Sequence, residues 1–306
     1  MLYYSAYNLG IGSEIPLPEF ASANCGGDVE VRLKRPTALT GERSIVWDAD
    51  ARAADFRYPG AGHFLVRGGD SVMVVPEPKV DLPLLRLYIQ GMIFAAVLHQ
   101  RGLFVLHSSI VQVGGCAIGF LGPVGAGKST VAAGFHARGY PVAADDNAAI
   151  DLRQSPPVVL PAFPSLKLYP AVAAVLGYDE AALRAMHGSQ TKRAHAIASG
   201  FHERPAPLRA VYILDRAAAP GVQRLSSVET VVEMIRHSVP TRWGVAGDGR
   251  HLKMCSRLAG VLPAFRVRTF GSLSEIPSII DTIAEHARQF AGAEKFSSAN
   301  AQGSGL

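Results

Sequence analysis

The chain has 306 residues, of which 48% are hydrophobic and 18% charged, a composition typical of a globular protein with a sizeable core. Its formal net charge is +5 and its isoelectric point about 9.2. Lysine and arginine are dispersed among acidic residues without a basic run, so we expect no nucleic-acid partner, although a mildly basic surface suits a polyanion such as a nucleoside triphosphate.

The cysteines and the N-terminus predict a cytoplasmic protein. Cys25, Cys116 and Cys255 form no pair typical of a zinc or redox centre, so we expect reduced thiols. The first twenty residues lack the basic and apolar segments of a signal peptide. The most apolar run, Ile89–Leu98, is interrupted by Gln90 and is short for a bilayer, so we expect no membrane partner.

Residues 1–80 are predicted to form a β-rich N-terminal region. Residues 29–35 alternate between apolar and polar side chains, the period of a half-buried strand. Residues 62–78 predict a hairpin, in which two apolar runs flank a turn at Gly68, Gly69 and Asp70. No residue of this region suggests catalysis.

At Asp81 the pattern changes from the period of a strand to that of a helix. Asp81 is suited to cap this helix, and Pro83 lies in its first turn. The following residues are apolar nearly all round, which predicts a buried helix that ends at Gly102. We place a domain boundary near residue 80, while the two parts could share one core.

Two strands around a turn at Gly114 and Gly115 lead into a glycine-rich loop. The loop, GPVGAGKS, matches G-x-x-x-x-G-K-[ST] without a gap, and a helix is predicted from Ser129 to about Arg138. In such loops backbone N–H groups hold phosphates, the lysine reaches the β- and γ-phosphates and the serine hydroxyl ligates Mg²⁺. The predicted nucleotide-binding residues are Gly122, Pro123, Val124, Gly125, Ala126, Gly127, Lys128, Ser129 and Thr130.

Two adjacent carboxylates, Asp145 and Asp146, follow the short predicted strand PVAA. If that strand lies beside the loop strand, its carboxyl end comes next to the nucleotide. One carboxylate would then support Mg²⁺, and the other would accept a proton from a hydroxyl group. The alternative is a solvated strand end with Asn147 in a turn. Another candidate for the metal ligand is Asp215, which ends the predicted strand AVYILD.

The rest of the chain predicts two amphipathic helices, over 227–238 and 278–292. We therefore expect an α/β domain of the P-loop kinase type over 81–293. The tail 294–306 consists largely of Ser, Ala and Gly and is predicted to be disordered.

Residues 106–147 resemble the catalytic domain of HPr kinase/phosphorylase, a bacterial serine kinase with a phosphate loop. The family pattern is a histidine, the loop, a helix ending in Arg-Gly, and Val-Ala-Asp-Asp-Asn. This chain has LHSSIVQVGG, the loop and ARGYPVAADDN at matching spacing. The resemblance implies a base at Asp146, a partner carboxylate at Asp145 and an active-site residue at His107. It also implies Lys128 as the phosphate clamp, and we assign the metal ligands to Ser129 and Asp145.

The chain is similar over nearly its whole length to a divergent HPr-kinase-like branch. Some members of that branch phosphorylate a serine of a ribosomally made precursor peptide, such as a lasso peptide precursor. The similar stretches include YYSAYNLGIGSEIPLPEF, LHQRGLFVLHSS, LPAFPSLKLYP and HLKMCSRLAGVLPAFRVRT.

This chain departs from the bifunctional members of the family in its charged residues. Those members carry a magnesium-binding Glu after the aspartates, whereas this chain has FPSLKLYP, with Lys167 and no acid. We consider Lys167 as a cation that faces a phosphate. The candidates for the family's arginine-bearing loop are Lys192, Arg193, Arg204 and Arg242.

These features predict an ATP- and Mg²⁺-dependent kinase that phosphorylates a serine hydroxyl of a peptide or small protein. The alternatives are a small-molecule kinase, a non-catalytic ATP-binding sensor, and an ATPase that drives a partner. The bifunctional enzymes assemble as oligomers, so an oligomer is an open alternative to a monomer. The identity of the acceptor and a reverse phosphorylase activity also stay open.

Overall fold

The computed structural model describes residues 1–48, 50, 52–186, 191–244 and 249–291. Within these residues the chain has a mixed α/β architecture with three β-sheets. The tail 294–306, for which we predicted disorder, lies outside the described residues.

The first sheet contains the N-terminal strands, whose outward side chains alternate with buried ones. The strands are β1 (Leu2–Ala6), β2 (Leu9–Ser13), β3 (Ala21–Ser22), β4 (Val29–Leu33), β5 (Ser44–Asp48), β6 (Ala53–Tyr58), β7 (Gly62–Arg67) and β8 (Ser71–Pro76). Their order is β3-β1-β2-β4-β8-β7-β6-β5. The predicted strand at 29–35 and the predicted hairpin at 62–78 are therefore confirmed.

A long helical segment follows the first sheet. It consists of α1 (Leu82–Tyr88), a π-helical stretch (Ile89–Ile93) and α2 (Phe94–Gln100). Pro83 lies in the first turn as predicted, but the Asp81 side chain makes no capping hydrogen bond, contrary to our expectation.

The whole segment Leu82–Gln100 is 19 residues long, with a mean hydropathy of 1.4 over its most apolar window. The run Ile89–Leu98 therefore underestimates the length of the apolar helix, because the helix continues through the polar Gln90. By length and composition this helix could cross a membrane. Half of that window is buried inside the protein, and core helices of soluble proteins share the same properties.

The remaining strands form the second and third sheets. They are β9 (Phe104–His107), β10 (Ser109–Val113), β11 (Cys116–Leu121), β12 (Val142–Ala144), β13 (Asn147–Asp151), β14 (Val158–Leu160), β15 (Ser165–Leu168), β16 (Leu183–Ala185), β17 (Arg193–Ala196), β18 (Ala206–Asp215), β19 (Val222–Arg224) and β20 (Ala264–Arg268). The second sheet has the order β12-β10-β11-β18-β14-β13-β9, with β20 paired to β18 and to β19. The third has the order β15-β17-β16.

Five further helices lie among these strands. They are α3 (Lys128–Ala137), α4 (Pro170–Val175), α5 (Ser227–His237), α6 (Gly249–Val261) and α7 (Ile276–Ala291). Short 3₁₀ turns cover Glu180–Ala182, Pro240–Trp243 and Leu273–Glu275. The predicted helices after the glycine-rich loop, at 227–238 and at 278–292 are confirmed as α3, α5 and α7.

The order of the second sheet corrects one premise about the aspartates. β12 does not lie beside the loop strand β11, because the hairpin partner β10 separates them. β10 runs antiparallel to both strands, so β11 and β12 run in the same direction. Their carboxyl ends, and thus the loop and the two aspartates, still lie at one edge of the sheet.

α3, which begins at this edge of the sheet, packs closely against α7. A side chain added at Gly134 of α3 would come within 2.2 Å of Ile280 in α7. Because only glycine fits there, the two helices approach closely, and α7 fixes the helix that begins with Lys128.

The cores of the two parts of the chain are also connected. One continuous cluster of buried apolar residues includes Val31 and Phe64 of the first sheet, Phe94 of α2 and Val105 of the second sheet. The N-terminal region therefore packs directly against the layer that carries the site, and our division at residue 80 stays a prediction.

Candidate active site

The glycine-rich loop connects β11 to α3 in a conformation that requires glycine. Gly127 has φ +99°, and a side chain there would come within 2.6 Å of the Phe270 ring. Thr269, directly after β20, donates a hydrogen bond of 2.8 Å to the carbonyl oxygen of Ala126. The segment directly after β20 thus holds the loop in place, and the N-terminus of a ten-residue helix opens into the loop.

Lys128 lies at the start of α3 and is 7% exposed. Its Nζ donates to the carbonyl oxygens of Gly122, at 2.7 Å, and Pro123, at 3.2 Å. Burial lowers the pKa of Lys128 to about 8, although the nearby charges of Asp145 and Asp146 favour its protonated form. An anion placed in the loop would meet this ammonium group and stabilise its charge.

Asp145 is buried, and each of its carboxylate oxygens accepts one hydrogen bond from the protein. Its Oδ1 accepts a hydrogen bond of 2.6 Å from the Ser109 hydroxyl, and its Oδ2 accepts one of 2.9 Å from the backbone N–H of Lys167. Only 3% of the residue is exposed. Asp145 therefore links β10, the turn after β12 and β15, and the alternative of a solvated strand end is wrong for this residue.

Asp146 is more accessible, with 28% of its side chain exposed. Its Oδ2 lies 2.5 Å from Lys167 Nζ, and its Oδ1 lies 3.1 Å from His107 Nδ1. Burial alone would raise the pKa of Asp146, but the Lys167 charge and the hydrogen bond from His107 hold that pKa well below its usual range. The same ion pair raises the pKa of Lys167 against the opposing effect of burial. Asp146 is therefore ionised at neutral pH.

The backbone around Asp146 fixes the direction of its side chain. Asp146 has φ +85°, a left-handed conformation that is rare for residues other than glycine. His107 Nδ1 lies 2.9 Å from the carbonyl oxygen of Asp146, which can only accept, so Nδ1 carries the proton. His107 thus contacts both the carboxylate and the backbone of Asp146.

Asn147 connects the site to the long apolar helix. It begins β13, is 5% exposed, and donates to the carbonyl oxygens of Gln90, at 3.3 Å, and Gly91, at 2.8 Å. These carbonyls belong to the π-helical stretch, where the regular helix hydrogen bonds are disturbed. Asn147 is therefore a buried structural contact and not a turn residue.

The loop, the aspartates and several cations line one cleft of about 230 Å³. Its charged and polar lining includes His107, Ser109, Lys128, Ser129, Thr130, Asp145, Asp146, Lys167, Lys192 and Arg216. The cleft therefore brings together the aspartate pair, His107 and six of the nine predicted loop residues. Gly122, Pro123 and Ala126 are not among its lining residues.

Only some of the other predicted charged residues lie at the cleft. Lys192 lines the cleft, with Nζ 5.3 Å from the centre of the Tyr169 ring, and the charge of Arg242 acts on Lys128. Arg193 and Arg204 are not among the residues that line it. Asp215 borders a neighbouring pocket, which shares Val124, Gly125 and Arg216 with the cleft, and its Oδ1 accepts from Ala217 N at 2.9 Å.

The described residues contain no group of three or more His, Cys, Asp or Glu side chains arranged to hold a metal ion. Magnesium in nucleotide sites usually takes only one or two protein ligands and completes its shell with phosphates and water. Ser129 and a free lone pair of Asp145 fit that limited role, because each carboxylate oxygen can accept a second contact.

Sequence reasoning missed two contributors to this site. Ser109 orients Asp145, and Tyr7 is a fully buried residue whose pKa is raised by burial and by the charge of Asp146. Ser109 lies inside the stretch LHSSIVQVGG, in which the resemblance singled out only His107, and no residue type around Tyr7 marks a site. The expected role of Lys167 as a cation facing a phosphate also needs revision, since its ammonium group contacts Asp146.

No protein-family model matches this sequence, and no curated protein does. Among solved structures, the chain is similar to the Hpr(Ser) kinase/phosphatase from Coxiella burnetii, with 10% sequence identity and a TM-score of 0.35. The match covers 66% of this chain and 99% of that one. This likeness is distant.

Proposed function

We propose that this protein is an ATP-dependent kinase that transfers the γ-phosphoryl group to a serine hydroxyl of a peptide or small protein. The observation that carries the proposal is that the ionised Asp146 carboxylate and the Lys128 ammonium line the same cleft as the phosphate loop. A phosphate site alone would suit any nucleotide-binding protein. A carboxylate held beside it is what a hydroxyl acceptor requires.

In the proposed reaction the acceptor oxygen forms a bond to the γ-phosphorus. The bond from that phosphorus to the β–γ bridging oxygen breaks, and the electron pair leaves with ADP. The hydroxyl proton passes to Asp146. Lys128 stabilises the charge that develops on the phosphate oxygens, so positioning and electrostatics supply most of the catalysis.

The low pKa of Asp146 is compatible with this role. In phosphoryl transfer the bond to the leaving group is largely broken early, so the acceptor needs little deprotonation before it attacks. An ionised carboxylate can orient the hydroxyl and take its proton late. Lys167 and His107 keep Asp146 in that ionised form.

A magnesium ion bound with ATP would neutralise part of the phosphate charge. We propose that the Ser129 hydroxyl and Asp145 face it. Asp145 already accepts two hydrogen bonds from the protein, so only the remaining lone pairs of its oxygens would be available to the ion.

A second candidate function is ATP binding without transfer, as in a sensor. The observation that favours it is the direct ion pair between Lys167 and Asp146, which occupies one oxygen of the proposed base.

We further propose a cytoplasmic protein that acts without nucleic acid or membrane.

The substitution Asp146→Asn separates the two functions. It keeps the shape of the side chain but removes its charge, so ATP affinity measured by calorimetry should change little. Transfer of labelled phosphate to peptides should fall by roughly 10²- to 10⁴-fold. Asp70→Asn, in the exposed hairpin turn of the first sheet and outside the lining of the cleft, is the matched control and should retain activity. Wild-type transfer rates in Asp146→Asn would remove the support for a kinase.

A further inference from the structure

The cleft that contains the glycine-rich loop and the aspartates is called the phosphate cleft below. We propose that a second pocket, next to the phosphate cleft, receives an apolar side chain that flanks the acceptor serine of a peptide. The inference rests on the proposed kinase function and names the acceptor that the same site would take. The pocket has a volume of about 210 Å³. It is formed jointly by the N-terminal region, α1 and the third sheet.

Lys167 connects the two spaces. Its side chain lines both the second pocket and the phosphate cleft, and its Nζ contacts Asp146. The pocket and the cleft that holds the proposed base therefore meet at Lys167. A peptide whose serine reaches Asp146 would bring a neighbouring residue to the pocket.

The lining of the pocket offers apolar surface to a ligand. Phe20, Leu87 and Ile197 contribute apolar surface, and the short side chains of Ala194 and Ala196, on the same face of β17, leave the space open.

The two charged groups at one wall, Glu19 and Arg86, neutralise each other. They form an ion pair of 3.1 Å and are each about one-fifth exposed. Lys167 is likewise paired, with Asp146, and Arg184 is solvent-exposed. The apolar surface of Phe20, Leu87 and Ile197 is the part of the lining that favours an apolar occupant.

The size of the pocket fits one side chain. A cavity of about 150 Å³ can hold a benzene ring. The pocket is somewhat larger than that, so it has room for a Leu, Met or Phe side chain.

The third sheet provides the reason to choose a peptide as the occupant. Residues Arg184 and Ala185 of β16 also line the pocket, and β16 is an edge strand that pairs only with β17 in the described part of the sheet. The outer backbone groups of an edge strand can pair with an extended peptide, which then directs alternate side chains to one face.

The test uses a positional set of peptides with one central serine. Each of the three positions on either side carries Leu, Phe, Gly, Asp or Lys in turn, and transfer from labelled ATP is measured with the full-length protein. We expect Leu and Phe to be preferred over Gly and Asp at one flanking position by roughly 10-fold or more, the effect of burying one apolar side chain.

Ala196→Trp fills the pocket from an exposed position and should abolish that preference, raising KM for the preferred peptide at least tenfold. ATP affinity should be retained, because Ala196 does not line the phosphate cleft. Ala198→Trp is the matched control: Ala198 is an exposed alanine that does not line the pocket, and this variant should behave as wild type.

The outcomes separate the inference from the proposed function. If wild type phosphorylates the peptides without an apolar preference, or prefers Asp or Lys, the pocket assignment is wrong and the kinase proposal stands. An Ala196→Trp variant that keeps the preference and the KM also overturns the assignment. If wild type binds ATP but phosphorylates none of the peptides, the peptide-kinase proposal and the pocket assignment both fall.

Discussion

Replacing Lys167 by Met should shift the acid limb of the pH–rate profile. Lys167 Nζ lies 2.5 Å from Asp146 Oδ2, and the two side chains are only 14% and 28% exposed, so solvent screens the pair incompletely. Met keeps the length of the side chain and removes its charge. The Asp146 carboxylate then loses the cation that most favours its ionised form.

The size of the shift follows from the geometry. An opposite charge at this range lowers a carboxylate pKa by roughly 1 to 3 units. In the wild type the Asp146 pKa lies well below 3.8. Protonation of Asp146 should therefore not reduce the transfer rate between neutral pH and about pH 5. In Lys167→Met the acid limb should move up by roughly 1 to 3 units, because burial, which opposes ionisation, is then balanced by His107 and the charge of Lys128 without Lys167.

The assay is the rate of transfer to the peptide set at saturating ATP, measured from about pH 3 to pH 9 so that the shifted acid limb lies inside the range. Lys192→Met is the matched control, since Lys192 lines the same cleft but lies over the Tyr169 ring. Its acid limb should coincide with that of the wild type. Identical acid limbs in Lys167→Met and wild type would refute the argument that Lys167 sets the basicity of Asp146.

Three further predictions follow from the loop and its support. Lys128→Ala should weaken ATP binding in calorimetry, because it removes the buried cation of the loop, and an unchanged affinity would contradict the phosphate site. Gly134→Val should destabilise the fold by about 1–3 kcal/mol in denaturant unfolding, because its side chain would collide with Ile280, whereas Gly260→Ala in α6, with open space around it, should be neutral or stabilising. The ion pair of Asp146 should also make stability acid-dependent. Since its folded pKa is depressed, the contribution is fully present above about pH 4 and is lost as the pH falls through the folded value, so Asp146→Asn should flatten the stability profile only in that acid range.

The elements that sequence reasoning predicted correctly depend on local information. The glycine-rich loop is a contiguous pattern, and its strand and helix follow from neighbouring residues. The helices α5 and α7 have a clear apolar stripe. In these segments the chain's own periodicity determines the structure, and no distant contact is needed to recognise it.

The elements that it missed depend on pairing between distant segments. The position of β10 between β11 and β12 is a property of the whole sheet, and no residue of PVAA encodes it. The π-helical stretch is stabilised from outside by Asn147, more than fifty residues away in the chain. Tyr7 reaches the neighbourhood of Asp146 only because the first sheet packs on the long helix.

Lys167 illustrates how a single position changes the electrostatics of the proposed mechanism. At the place where the resembling enzymes carry a magnesium-binding acid, this chain puts a cation, and the cation pairs with the carboxylate proposed as the base. The lining of the cleft then contains Lys128, Lys167, Lys192 and Arg216 against two aspartates, so its net charge is positive. A positive cleft attracts a triphosphate without relying on a protein-bound metal centre. It also holds Asp146 ionised, which leaves orientation of the acceptor hydroxyl, and not adjustment of the base's pKa, as the main contribution expected of that carboxylate.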